Sequence, residues 1–160
     1  MRKFDLDNKF EVIIVTFRTF QHLYTVEDQL QSLKNIKSHL KPGGVFVFDV
    51  YVPSLKYIEK GNWQWIDDEE IKLPGIKGKT KIDYRNRYDM GEQIMYQEYR
   101  FRYPNGEEKT APFKMRFFFR FEIEHLLALA DFKVKNLYGD FMKGKFTSNS
   151  PEMVWIAAVE

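Results

Sequence analysis

The chain has 160 residues, 44% of them hydrophobic and 17% aromatic, which suffices for one domain with a substantial core and argues against intrinsic disorder. Its 25 Lys and Arg residues nearly balance 23 Asp and Glu residues, and a net charge of +2 disfavours a nucleic-acid partner. Absence of cysteine excludes disulfides, Cys zinc sites and a thiol nucleophile, and three scattered histidines form no metal motif. We therefore expect no metal. No apolar run approaches the ~20 residues of a membrane span and no signal-peptide pattern is visible, so we expect no membrane partner and a cytoplasmic location.

The first 50 residues predict a strand, a helix and a second strand. Residues 10–17 contain an unbroken aliphatic run, typical of a strand buried on both faces of a parallel sheet. Thr25 and Asp28 resemble a capping box at the start of a helix, and residues 41–44, Lys-Pro-Gly-Gly, are expected to end it with glycine in the left-handed conformation. Residues 45–51 then predict a buried strand parallel to the first, which completes a βαβ unit.

The middle of the chain alternates between apolar and polar residues, which predicts strands with one wet face. We expect a three-stranded antiparallel meander within an insert of residues 79–119, in an otherwise single domain of residues 1–160. The basic residues of its polar face either attract an anion or form a solvated strand face that the chain's many carboxylates offset, and the second interpretation is favoured. The remaining predicted elements are a short helix near residues 54–60, a helix at 122–130 and strands at 132–138 and 153–159.

Candidate functional residues follow the first predicted strand, at the edge where open α/β sheets bind ligands. The segment contains Thr16, Phe17, Arg18, Gln21 and His22. It is dense in hydrogen-bonding side chains beside phenylalanine rings. The alternative is a loop that packs its phenylalanines into the core and leaves Arg18 and His22 solvated.

Two residues end the second predicted strand at the same edge. Asp49 is either a ligand contact or a cap for the following turn, and Tyr51 lies two residues further along. The chain lacks G-x-G-x-x-G, Walker and G-x-S-x-G motifs. Gly43 and Gly44 follow a helix and not a strand, so they are interpreted as a helix stop and not as a phosphate cradle.

The order of these motifs resembles the later part of class I S-adenosylmethionine-dependent methyltransferases. Residues 10–53 match a family pattern of a strand, a loop like FRTFQHL, a helix ending in L-K-P-G-G, and a strand ending in Asp and Pro. Residues 120–134, RFEIEHLLALADFKV, resemble a second family segment, with Asp131 where glycine is usual. The resemblance implies a partial Rossmann-like sheet containing strands 4-5-7-6 of the family, with an antiparallel meander, and S-adenosylmethionine as cofactor.

The resemblance also implies roles for individual residues. Met1 and Arg2 would border the adenine, and the cofactor's methionine would lie beside Thr16, Phe17 and Arg18. The acceptor, a small molecule, would be bound by Gln21, Asp49 and Tyr51, and His22 is the nearby candidate for a general base.

The glycine-rich loop and the ribose-binding acidic residue that precede this part of the family fold are absent from the sequence. We therefore expect weak cofactor binding, and a non-catalytic interaction module is the alternative to an enzyme. In the family the strand at residues 10–17 pairs on both sides. With one neighbour missing, its open edge predicts a homodimer through residues 10–17.

Overall fold

A computed structural model describes residues 1–159 and shows a mixed α/β protein with two four-stranded sheets, which confirms the predicted fold class at that level. The chain forms two compact units. The first unit contains Met1–Pro53 and Arg116–Glu160, and the second contains Ser54–Met115. The single domain with an insert at 79–119 stays a prediction.

The elements of the first unit are β1 (Phe10–Val15), α1 (Val26–Ser38), β2 (Leu40–Tyr51), α3 (Arg120–Leu129), β7 (Lys133–Tyr138) and β8 (Glu152–Ala158). A short 3-10 turn, Thr19–His22, lies between β1 and α1. The elements of the second unit are α2 (Leu55–Lys60), β3 (Ile66–Ile71), β4 (Thr80–Asp89), β5 (Ile94–Arg102) and β6 (Glu108–Arg116). The last residue of β6, Arg116, belongs to the first unit.

The sheet of the first unit has the order β1-β2-β8-β7. β1 and β2 pair in parallel, as the predicted βαβ unit requires. β8 is antiparallel to both β2 and β7, so β1, β2 and β7 all run in one direction. Their carboxyl ends therefore meet at the same edge of the sheet, which is where ligands bind in open α/β sheets.

The core of the first unit lies on one face of this sheet. Alternate residues of β2, Phe46, Phe48 and Val50, point to that face and are fully buried, because side chains along a strand alternate between faces. Trp155 of β8 stacks on Phe48, with ring centroids 6.4 Å apart. Both helices add buried residues to this core, Leu33 and Ile36 from α1 and Ile123, Leu126 and Leu127 from α3.

The prediction that the first strand is buried on both faces is wrong. Among residues 1–159, β1 is the edge strand of its sheet and pairs only with β2. Val12 and Ile14 are 47% and 61% exposed, whereas the alternate residues Ile13 and Val15 pack against the core. An aliphatic run cannot by itself distinguish an interior strand from an edge strand whose second face is open.

Both ends of α1 depend on local chemistry. The Thr25 hydroxyl accepts a hydrogen bond from the Asp28 N–H at 3.1 Å, which satisfies one of the free N–H groups at the helix start. The Asp28 carboxylate bonds Arg2 at 3.0 Å. The expected helix stop is displaced: α1 already ends at Ser38, and Gly43 takes its positive φ of 73° within β2, where the β1–β2 register shifts between Leu40 and Val45.

The antiparallel sheet of the second unit has four strands in the order β3-β4-β5-β6, so the prediction of a three-stranded meander is wrong. The additional strand, β3, contains Asp67, Asp68, Glu69 and Glu70 and is almost entirely exposed. Such an acidic run has no apolar alternation, and pairing with β4 alone makes it a strand.

The last strand of this sheet begins and ends earlier than its aromatic pattern predicts. β6 stops at Arg116, and both Phe117 and Phe118 are buried beyond it. Side chains alternate between faces along a strand, so a continuous strand would bury only one of two consecutive residues. Because β6 ends at Arg116, both phenylalanine rings can be buried. An Asn-Gly turn precedes β6: Gly106 has a φ of 85° and its N–H donates to Tyr103 O at 3.0 Å.

Basic residues of the second unit pair with carboxylates, as the favoured interpretation expects: Lys79 pairs with Glu70 and Arg85 with Glu98. Several arginines also stack on aromatic rings, which that interpretation did not include. Arg85 stacks between Trp63 and Trp65, with its Cζ 4.6 and 4.5 Å from the ring centroids. Arg100 lies over Trp65 at 4.2 Å and Arg87 over Tyr96 at 4.0 Å. The cationic groups are thus partly desolvated against aromatic faces, where cation–π attraction is strongest.

Among the described residues, none of the helices has both the length and the apolar character needed to cross a membrane.

Candidate functional site

The loop after β1 has a strained backbone. Phe17 and Arg18 both adopt left-handed conformations, with φ of 56° and 58°. A non-glycine residue in this region costs about 1–2 kcal/mol, so two in succession need support from their surroundings. The Asp49 side chain on β2 provides it, because its Oδ2 accepts the Arg18 N–H at 3.0 Å.

Arg18 connects the ends of two strands. Its guanidinium forms an ion pair with Glu152, the first residue of β8, and lies over the Tyr51 ring with Cζ 5.5 Å from the centroid. Tyr51 and Glu152 are direct partners in the β2–β8 register, so their side chains share one sheet face with Asp49. The structure thus brings together three of the predicted residues, Arg18, Asp49 and Tyr51, with Glu152.

Two carboxylate oxygens of the site have no hydrogen-bond donor among the described residues. Asp49 is 3% exposed and Glu152 is 8% exposed, yet Asp49 Oδ1 and Glu152 Oε2 are buried without a hydrogen-bond partner. A buried carboxylate oxygen that lacks a donor is costly, typically ~1–3 kcal/mol or more for a charged group. The Arg18 guanidinium pairs with Glu152 and the Arg18 N–H with Asp49, which leaves one oxygen of each carboxylate for a group that donates hydrogen bonds.

Gln21 fixes the 3-10 turn against the sheet. Its amide is completely buried, its Nε2 donates to Arg116 O at 2.7 Å, and its Oε1 accepts the Tyr51 N–H at 3.1 Å. These bonds place the turn beside the end of β2. The Gln21 side chain therefore positions the 3-10 turn by bonding the backbone groups of Arg116 and Tyr51.

The next residue, His22, is exposed on the same turn. Its Nδ1 lies 3.4 Å from the Tyr24 hydroxyl, and burial raises the pKa of that tyrosine above its ordinary value. When Nδ1 carries the proton and donates to Tyr24, Nε2 retains the lone pair that a general base requires.

The remaining predicted residues lie at the periphery. Phe17 projects into solvent and is 92% exposed, and the Thr16 carbonyl accepts from the Thr19 hydroxyl at 2.6 Å. Met1 and Arg2 lie along the first turns of α1, where Arg2 pairs with Asp28 and the Met1 carbonyl accepts from Ser32 Oγ at 3.5 Å. That all of these residues serve one site stays a prediction.

Sequence reasoning missed Glu152. The residue stands immediately before the apolar run of the last strand, where an acidic side chain has no distinguishing pattern. The observation that points to Glu152 is the β2–β8 pairing, because the antiparallel register places this residue opposite Tyr51. A strand-order prediction that included the register would have found it.

Neither a family model nor a curated protein sequence matches this chain. Solved structures do match it in fold. The CcbJ methyltransferase from Streptomyces caelestis aligns with a TM-score of 0.80 and 18% identity, over 99% of this chain and 61% of that chain. An S-adenosylmethionine-dependent methyltransferase from Clostridium acetobutylicum aligns with a TM-score of 0.79 and 16% identity, over 99% and 61%.

A third similar structure is CalS10 from Micromonospora echinaspora, an amino pentose methyltransferase of calicheamicin biosynthesis solved with S-adenosylmethionine bound. It aligns with a TM-score of 0.72 and 18% identity, over 99% of this chain and 62% of that chain. The chain thus spans about three-fifths of the length of these proteins. Identities this low establish the fold alone, and that fold is the one these S-adenosylmethionine-dependent methyltransferases share.

Proposed function

We propose that this chain is the acceptor-binding part of an S-adenosylmethionine-dependent methyltransferase and that its acceptor is a small-molecule amine. The observation that carries this proposal is the pair of buried, unpartnered carboxylate oxygens of Asp49 and Glu152 at the carboxyl edge of β1 and β2. An ammonium group would donate to both. The similarity to an amino pentose methyltransferase supports the same acceptor chemistry.

In this proposal β1, β2, β8 and β7 correspond to strands 4, 5, 7 and 6 of the methyltransferase sheet, in agreement with the observed order. The exposed ring of Phe17 is suited to a sulfonium cation, since cation–π attraction needs an accessible aromatic face. Thr16, Phe17 and Arg18 would hold the methionine end of the cofactor, and Met1 and Arg2 the adenine end. Bound S-adenosylmethionine supplies an electrophilic methyl group on a cationic sulfur.

The chain's own residues would orient the acceptor and handle its proton. Glu152 and Asp49 would hold the acceptor ammonium, and Arg18 would keep both carboxylates at their positions. The amine must lose a proton before its lone pair can attack. His22 Nε2 is the proposed general base for that step, and positioning accounts for most of the remaining rate enhancement.

Cofactor binding by this chain alone is proposed to be weak, because no glycine-rich loop is present to supply backbone N–H groups to the cofactor. The test is a titration with S-adenosylmethionine followed by amide NMR. We expect shifts at Thr16–Arg18 and at Arg2 with a dissociation constant above about 100 μM, which corresponds to a binding free energy weaker than about −5.5 kcal/mol.

Two results would count against these statements. A spectrum unchanged at several millimolar S-adenosylmethionine would overturn the cofactor assignment. A dissociation constant in the low micromolar range would leave the assignment intact and show that the claimed weakness is wrong. Arg120, exposed on α3, offers a control site: Arg120→Ala should leave the titration unchanged, whereas Phe17→Ala should weaken it.

A further inference from the structure

The loop after β7 has a closed, well-defined conformation. Asp140 Oδ1 accepts hydrogen bonds from the N–H groups of Met142 and Gly144, at 2.8 and 2.9 Å. The Gly139 N–H donates to Gly144 O at 2.8 Å, which closes the base of the loop. Residues 139–144, called the 139–144 loop below, therefore form a built structure.

The glycines of this loop are required by close packing. A Cβ atom on Gly139 would lie 2.1 Å from Ser150 Oγ, and a Cβ on Gly144 would lie 2.2 Å from Asp140 Oδ2. Ser150 Oγ is itself engaged, because it accepts the Thr147 N–H at 2.9 Å. The loop backbone is thus held from both sides in one conformation.

This fixed loop displays two large apolar side chains. Phe141 is 63% exposed and Met142 is 89% exposed, whereas Phe146, a few residues later, packs against the core. Side chains of this size normally contribute stability by being buried. An ordered segment that presents its largest apolar groups to solvent is a candidate contact surface.

The 139–144 loop adjoins the candidate site. Gly139 O accepts the N–H of Glu152 at 3.3 Å, so the base of the loop is bonded to the residue that carries the unpartnered Oε2. β7 runs parallel to β2, so the loop follows the same edge of the sheet as Thr16–Arg18. The base of the loop is therefore next to the residue that would hold the acceptor ammonium.

We propose that Phe141 and Met142 form an apolar wall of the acceptor subsite, and that the acceptor is an amine carrying an aromatic or aliphatic group. This inference rests on the proposed function. Phe141 supplies a flat apolar surface, and the flexible thioether of Met142 adapts to the shape of the attached group. Glu152 would bind the ammonium group of the acceptor, and the 139–144 loop would bind the aromatic or aliphatic group that carries it.

The experiment compares two probes by NMR of the full chain, with the methionine methyl groups labelled. Benzylamine carries an ammonium and a ring, whereas ethylamine carries the same ammonium and little apolar surface. We expect benzylamine to shift the Met142 methyl signal and the amides of 140–144 and Glu152, and to bind about 10-fold more tightly than ethylamine because the ring is removed from water. Benzyl alcohol, which lacks the cation, should bind more weakly than benzylamine.

The variant that tests the wall is Phe141→Ser combined with Met142→Ser. We expect its affinity for benzylamine to fall about 10-fold, to the level of ethylamine, while ethylamine binding stays unchanged. Leu129→Ser provides the matched control, since Leu129 is a large exposed apolar residue on α3, and it should change neither titration.

Equal affinities for the two amines, wild-type benzylamine binding by the double variant, or no binding of either amine would each overturn the proposal. Its failure can be separated from failure of the proposed function by the S-adenosylmethionine titration. Amine binding at the 139–144 loop without any cofactor-induced shift would leave the wall in place and remove the cofactor assignment.

Discussion

Two buried aspartates, one in each unit, are satisfied in opposite ways. Asp83 on β4 is fully buried; its Oδ1 accepts from Arg102 at 2.7 Å and its Oδ2 from Arg100 at 3.0 Å. In Asp49 on β2, Oδ2 accepts the Arg18 N–H, whereas Oδ1 has no hydrogen-bond partner among the described residues. Both oxygens of Asp83 pair with guanidinium groups, which is typical of a structural pair, whereas an unpartnered oxygen like that of Asp49 is typical of a binding site.

Asp83→Asn is expected to destabilise the protein by about 3 kcal/mol, because removing one partner of a buried pair leaves the other charge uncompensated. Guanidinium unfolding followed by tryptophan fluorescence would measure this loss, since Trp65 stacks on Arg100 in the same network. Glu107→Gln serves as the control. Its pair with Lys109 is exposed, so the change should remain below about 0.5 kcal/mol, and an equal loss in both variants would contradict the distinction.

The same network makes stability depend on pH. Burial alone would raise the pKa of Asp83, but hydrogen bonds from Arg102 and Arg100 outweigh burial and hold the pKa below its ordinary value. A carboxyl with a lowered folded-state pKa stabilises the protein above its unfolded pKa of about 4, and this stabilisation disappears as the pH falls through the folded pKa.

We therefore expect the free energy of unfolding to decline below about pH 4 in the wild-type chain, and to decline less in Asp83→Asn. Urea unfolding at stepped pH values measures both slopes. Equal slopes would show that other carboxyls dominate acid unfolding.

At the scale of elements, the segment that leaves β6 and enters α3 decides which phenylalanines are buried. Phe118 is fully buried and packs against Phe20 with centroids 5.8 Å apart, whereas its neighbour Phe119 is the N-cap of α3 and 46% exposed. A continuous strand would instead bury Phe117 and Phe119 together. The end of β6 at Arg116 changes that outcome.

Phe118→Ala should cost about 3–5 kcal/mol, the usual effect of emptying a buried phenylalanine site. Phe119→Ala removes the same atoms from a half-exposed position and should cost about 1 kcal/mol or less. Thermal unfolding of the two variants provides the comparison. A larger loss for Phe119→Ala would mean that the assigned end of β6 is wrong.

At the scale of the whole molecule, the first sheet ends at an apolar strand with an open edge. Phe10, Val12 and Ile14 of β1 are exposed, and Phe4 and Leu6 line a shallow groove beside them. The unpaired N–H and C=O groups of such an edge form a template for another strand. No proline or lysine interrupts the strand to prevent such pairing.

We propose that a second copy covers this edge, because the same strand on two chains can pair about a two-fold axis. Light scattering should give the mass of a dimer, and Ile14→Lys should shift it to a monomer. Leu129→Lys, a similar change on α3 away from the edge, should leave the dimer intact. A wild-type monomer at high concentration would contradict the proposal.

The sequence by itself determined the elements of the first unit and their approximate ends. The aliphatic run of β1, the Thr25 cap and the apolar spacing in α3 act within a few residues, so local patterns suffice to predict them. The loop after β1 and Asp49 were likewise found, because parallel strands place their carboxyl ends at one edge.

Local sequence patterns do not predict which face of each element is buried or which strand each strand pairs with, and these depend on the tertiary structure. In the tertiary structure β1 lies at the edge of its sheet, and the acidic β3 pairs with β4. Arg85 stacks on Trp63 and Trp65. The tertiary structure also places Glu152 opposite Tyr51. Each of these outcomes depends on pairing between distant segments, and the energy of such pairing comes from burial and register that no local window contains.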